Sequence, residues 1–94
     1  MGFQWDPQKD AANQSKHLVG FRQAAEVFRG FRLTREDTRG VYGEPRFITL
    51  GTYEGTVLCV VHTPRGDDIR IISAWKAGRH DREAYLRARD DGAV

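Results

Sequence analysis

The segment Val57–Lys76 constrains the fold more than any other part of the chain. Thr56–Thr63 and Asp68–Trp75 are two strand-like runs rich in β-branched residues, joined by the polar turn Pro64-Arg65-Gly66-Asp67. Such a pairing predicts an antiparallel hairpin at the centre of the molecule. Its apolar positions are numerous enough that other elements must cover it.

The remaining segments supply the cover. Phe3-Gln4-Trp5 alternates apolar and polar and predicts a short first strand. Asp6 can cap a helix that Pro7 begins, and the helix is expected over 7–17. After the break at Val19-Gly20, a second helix over 21–28 aligns Phe21, Ala24, Ala25 and Phe28 on one face, and Gly30 stops it. Phe31–Arg35 alternates again. Glu36–Pro45 is a polar loop long enough to suggest a function. Arg46–Gly51 predicts a strand that turns through Tyr53-Glu54-Gly55 into the hairpin, and a charged helix closes the chain over 79–89. The order is β-α-α-β-β-β-β-α. It predicts a single α+β domain over 1–94, with a mostly antiparallel sheet of roughly four to five strands, two N-terminal helices and one C-terminal helix.

Composition narrows the function classes. No apolar run approaches the ~20 residues that span a bilayer, and the start of the chain has no basic stretch followed by an apolar core. Cys59 is the single cysteine, which fits a reducing compartment. His17, His62 and His80 are far apart and share no short ligand motif, so neither metal nor cofactor is expected. Fifteen Lys and Arg against thirteen Asp and Glu leave a net charge of +2, so the placement of the cations matters more than their total. His62, Arg65, Arg70 and Lys76 punctuate the central hairpin. A small sheet with that pattern suits a polyanion such as RNA.

Several segments, in order, resemble the BrnT family of ribonuclease toxins. These are Phe3-Gln4-Trp5-Asp6-Pro7-x-Lys9, Asn13-x-x-Lys16-His17-x-Val19-x-Phe21 and Ala24-Ala25-x-Val27-Phe28. Gly43-Glu44-x-Arg46-Phe47 and Arg70-Ile71-Ile72-Ser73-Ala74, followed by Arg82 and Tyr85, continue the likeness. The chain departs from the pattern at Trp75, where the family usually has an arginine, and at His62, often a tyrosine. The resemblance implies a RelE-like fold and a toxin of a type II toxin–antitoxin system in the bacterial cytoplasm. It implies a cognate BrnA-type antitoxin with a ribbon-helix-helix end, in a complex of two toxins with two antitoxins that binds operator DNA.

Metal-free RNA cleavage needs a base for the 2′-hydroxyl, a proton for the leaving 5′-oxygen and positive charge around the phosphate. His17, Glu44, Arg46 and Arg70 are the catalytic candidates. His17 is of the residue type that can serve as base or acid, though a histidine ending a helix is also favoured by the helix dipole. Glu44 is a base if an arginine fixes it, and otherwise a solvated loop carboxylate. Arg70 and Arg46 suit a phosphate dianion, or serve as plain strand arginines. Lys16, Arg65, Trp75, Lys76 and Tyr85 are the substrate-binding candidates, the aromatics by base stacking. His62 shares parity with Leu58 and Val60 and is expected to be buried. The alternative is a non-catalytic module of the same fold that binds RNA or a protein.

Overall fold

The computed structural model describes residues 1–92. Among them the chain forms β1 (Phe3–Gln4), α1 (Pro7–His17) and α2 (Phe21–Ala25), with a 3-10 turn over Glu26–Arg29. Then come β2 (Leu33–Glu36), β3 (Phe47–Tyr53), β4 (Thr56–Arg65), β5 (Asp68–Lys76) and α3 (Arg79–Gly92). The strands make one five-stranded sheet in the order β1-β5-β4-β3-β2. Only β1 runs parallel to its neighbour, pairing Phe3 with Ile69 and Gln4 with Arg70. The expected α+β architecture is therefore observed.

Each face of the sheet holds its own core, because β4 alternates with period two. Leu58 and Val60, with Ile71 and Ala74 of β5, pack against Phe21, Ala24, Val27 and Phe28. Val57, Cys59 and Val61, with Ile48 and Leu50 of β3, pack against Tyr85 of α3. Gly51 allows the first layer to approach: a Cβ there would stand 2.7 Å from the Val27 Cβ.

Local chemistry sets the helix boundaries. The Asp6 carboxylate accepts from the Gln8 N–H at 2.8 Å, and Pro7 occupies the first turn of α1. Leu18 closes α1 in a left-handed conformation with φ 60°, its N–H bonded to the Gln14 carbonyl. The expected continuous helix over 21–28 is α-helical only to Ala25. The tighter turn that follows lets both Val27 and Phe28 reach the sheet. The fourth element begins at Leu33, two residues later than expected from Phe31, and the last helix reaches Gly92.

The β4–β5 hairpin is tighter than its sequence suggests. Pro64 and Arg65 remain in β4, and Gly66 takes the left-handed turn position with φ 59°. A β-bulge interrupts the pairing: Val61 faces Ser73 while His62 faces Ile71, so Ile72 has no partner. Ile71 therefore points into the first core, whereas Trp75 packs against the second.

Candidate active site

Two groups of charged side chains flank the loop between β2 and β3. The first centres on Glu44, whose carboxylate lies 3.5 Å from Arg46 Nε and 3.3 Å from Arg65 Nη1. Arg46 lies over the Tyr42 ring, 4.1 Å from its centroid. Its buried Nε makes no hydrogen bond despite the nearby Glu44 oxygen, because the ion-pair distance is met without hydrogen-bonding geometry. The Thr63 hydroxyl donates to the Pro45 carbonyl and so ties this loop end to β4. Thr63 pairs in register with Arg70, and Arg70 pairs on its other side with Gln4. Arg70 thus stands in the row beside the Glu44 group. No carboxylate pairs with it among the described residues; Nη1 lies 3.5 Å from Gln4 Oε1.

The second group lines a cleft of about 600 Å³ formed by Lys16, His17, Leu18, Arg39, Ser73, Trp75 and Lys76. α1 brings Lys16 and His17 to its end, and β5 brings Trp75 and Lys76. The His17 and Trp75 rings are 6.2 Å apart and tilted by 45°. Arg39 lies over the Trp75 ring at 5.4 Å. The cleft exposes cations and an aromatic surface, and among the described residues no carboxylate lines it.

The expected residues therefore fall into two sets. Glu44, Arg46 and Arg65 come together, with Arg70 beside them. Lys16, His17, Trp75 and Lys76 come together elsewhere. Four residues of strand lie between Arg70 and Trp75, and their β4 partners Thr63 and Cys59 stand four positions apart, roughly 13 Å at ~3.3 Å per residue. No hydrogen bond or ion pair joins His17 to Glu44 or Arg70 among the described residues. Tyr85 requires a correction. It is 1% exposed, and its hydroxyl donates to the Phe31 carbonyl at 2.8 Å, so it anchors α3 and is closed to a ligand.

Sequence reasoning missed Arg39 and Tyr42. Both lie in the segment read only as a polar loop. The Asp37-x-Arg39 spacing was the available signal, since an aspartate that accepts from the backbone two residues on forms a local turn.

His62 and Cys59 are buried titratable groups outside these sets. His62 stacks against Phe47 and meets the edge of Phe28, and its Nε2 bonds the Thr49 hydroxyl at 2.7 Å. Burial pushes its pKa down to about 4, with a smaller contribution from Arg32, so it stays neutral. Burial, then Asp81, raises the Cys59 thiol to about 11, which leaves it protonated and a poor nucleophile. Among the described residues no three His, Cys, Asp or Glu side chains gather to hold a metal ion.

The site is thus a carboxylate held between two arginines and a cleft lined by cations and an aromatic ring, on a small α+β domain. Residues 5–81 match the family described as ribonuclease toxin, BrnT, of type II toxin–antitoxin systems, and the chain belongs to that family. It is a ribonuclease toxin of a type II toxin–antitoxin system in class. No curated protein matches it. No helix among the described residues is long and apolar enough to cross a membrane.

Proposed function

We propose that the Glu44–Arg46–Arg65 group, with Arg70, cleaves RNA by metal-independent transesterification. Glu44 takes the proton from a 2′-hydroxyl, and the freed oxygen attacks the adjacent phosphorus. The phosphorus–O5′ bond breaks, leaving a 2′,3′-cyclic phosphate on one fragment and a 5′-hydroxyl on the other. The leaving oxygen takes its proton from solvent. Arg46 and Arg70 neutralise the charge that builds on the phosphate oxygens, where a guanidinium fork fits best. Arg65 orients Glu44 and reaches the RNA backbone. Lys16, His17, Trp75 and Lys76 hold a neighbouring part of the strand, which makes His17 a binding residue in this reading.

The observation that carries the reading is the Glu44 carboxylate held between two guanidiniums, at 3.5 and 3.3 Å. A carboxylate so fixed approaches a hydroxyl in one orientation, which general-base catalysis requires.

The target is probed as mRNA, whose loss slows translation and growth in the bacterial cytoplasm. The family's name gives the system an antitoxin. A BrnA-type ribbon-helix-helix protein, in a complex of two toxins and two antitoxins that binds operator DNA, is the partner we propose. The test is cleavage of a defined RNA in EDTA. Fragments ending in cyclic phosphate support the proposal, and fragments formed only with added divalent metal overturn its mechanism.

A further inference from the structure

The loop between β2 and β3 holds an arginine that the proposed reaction does not use. The Asp37 side chain is completely buried, with 0% exposure. Its carboxylate accepts from Arg39 three times, from the backbone N–H at 3.1 Å, Nε at 2.8 Å and Nη2 at 2.9 Å. A buried carboxylate is costly unless it is paired and hydrogen-bonded, and Arg39 supplies both. That pairing holds Asp37 well below the usual carboxylate range, so it remains ionised. The Tyr42 hydroxyl adds to the same effect.

The pair fixes the guanidinium in place. Arg39 lies 5.4 Å from the Trp75 centroid, yet its side chain keeps 56% of its exposure. An arginine has five N–H groups in a rigid fork. Asp37 occupies the Nε–Nη2 edge, and the Nη1 end makes no ion pair among the described residues. Arg39 itself lines the cleft with Lys16, His17, Trp75 and Lys76, and among the described residues no carboxylate lines it. The flanking lysines must lose side-chain freedom to grip an anion, whereas Arg39 is already ordered.

We infer that this cleft is a subsite for one nucleotide of single-stranded RNA, with Arg39 as its phosphate-binding residue and Asp37 as the positioning residue that fixes Arg39. The Trp75 surface meets the apolar part of the nucleotide. The identity of the polyanion rests on the ribonuclease reading above. The Asp37 backbone N–H donates to the Arg46 carbonyl at 2.8 Å, so the subsite adjoins the Glu44 group and acts on how tightly the strand is held beside it.

The test is binding of a short, non-cleavable 2′-O-methyl RNA across a salt series, beside cleavage of the unmodified RNA. Arg39→Gln should weaken binding by about tenfold or more, and the slope of affinity against salt should fall by about one. Arg87→Ala removes an equal charge from the exposed face of α3 and should bind as wild type does. Because Arg39→Gln strands a buried carboxylate, the double variant Asp37→Asn/Arg39→Gln, which removes both charges, carries the same expectation. Wild-type affinity in the folded double variant overturns the subsite. Wild-type protein that binds through Arg39 but cuts nothing sustains the subsite and overturns the ribonuclease chemistry. Wild-type protein that does not bind overturns the subsite itself.

Discussion

The Asn13 side chain pairs with both backbone groups of Ala74, accepting from its N–H at 3.2 Å and donating to its carbonyl at 2.8 Å. A helix side chain thus extends the hydrogen bonding of β5. The same amide donates to the Val19 carbonyl at 2.8 Å and accepts from the Ser73 hydroxyl at 3.2 Å. Asn13 therefore locks α1 onto β5 one turn before Lys16 and His17, and one residue before Trp75. The cleft depends on this lock.

Asn13→Ala leaves the buried Val19 carbonyl and both Ala74 groups without this partner. Unsatisfied buried groups cost about 1–3 kcal/mol each before relaxation, so a loss of about 2–4 kcal/mol is expected. Urea denaturation at neutral pH checks this. Wild-type stability in the variant would show that water replaces the amide without loss.

His62 makes stability depend on pH. Its folded pKa of about 4 lies below the ordinary 6.5, so the unfolded chain binds the proton first. The neutral imidazole's contribution is full above pH 6.5, falls as the pH drops below that value, and is lost near pH 4. The whole fall is worth about 3 kcal/mol at 1.36 kcal/mol per unit. Asp37 is held low and yields only in stronger acid, so the interval between pH 6.5 and 4 belongs to His62 among the shifted groups. Urea midpoints across that interval should decline in wild type and stay much flatter in His62→Phe, which retains the stacking with Phe28 and Phe47. Equal declines would mean that other groups carry the acid sensitivity.

Gly51 is required by close approach, not by backbone conformation. Its added Cβ would lie 2.7 Å from the Val27 Cβ and 2.9 Å from the Val27 carbonyl oxygen. Gly51→Ala should therefore destabilise the protein by about 1–3 kcal/mol through overpacking. A thermal melt suffices, and an unchanged or raised midpoint would show that the 3-10 turn yields freely.

Much of this architecture is legible in the sequence. Asp6-Pro7 marks the start of α1, and the Phe21–Phe28 spacing marks the face that covers the sheet, because capping and periodicity are local properties. The bulge at Ile72 is not legible. It shifts the parity of β5, so Ser73 and Trp75 give a mixed signal when read against Ile71. Tyr85 illustrates a second limit: helical spacing does not reveal that its hydroxyl meets the Phe31 carbonyl, 54 residues away. Arg39 illustrates a third. Its role depends on a buried Asp37 and on Trp75 arriving from β5, both tertiary facts. By contrast, Glu44 and Arg46 are two residues apart, and their proximity follows directly from the chain.

The central claim is that Glu44 acts as the base beside its arginines. The most direct measurement is cleavage of a defined RNA in EDTA by wild type and Glu44→Gln, with both shown to be folded by their melts. The account predicts cyclic-phosphate ends from wild type and a rate about 10²–10⁴-fold lower for Glu44→Gln, the range a general base contributes. Undiminished cleavage by Glu44→Gln would contradict it and move the chemistry away from this cluster.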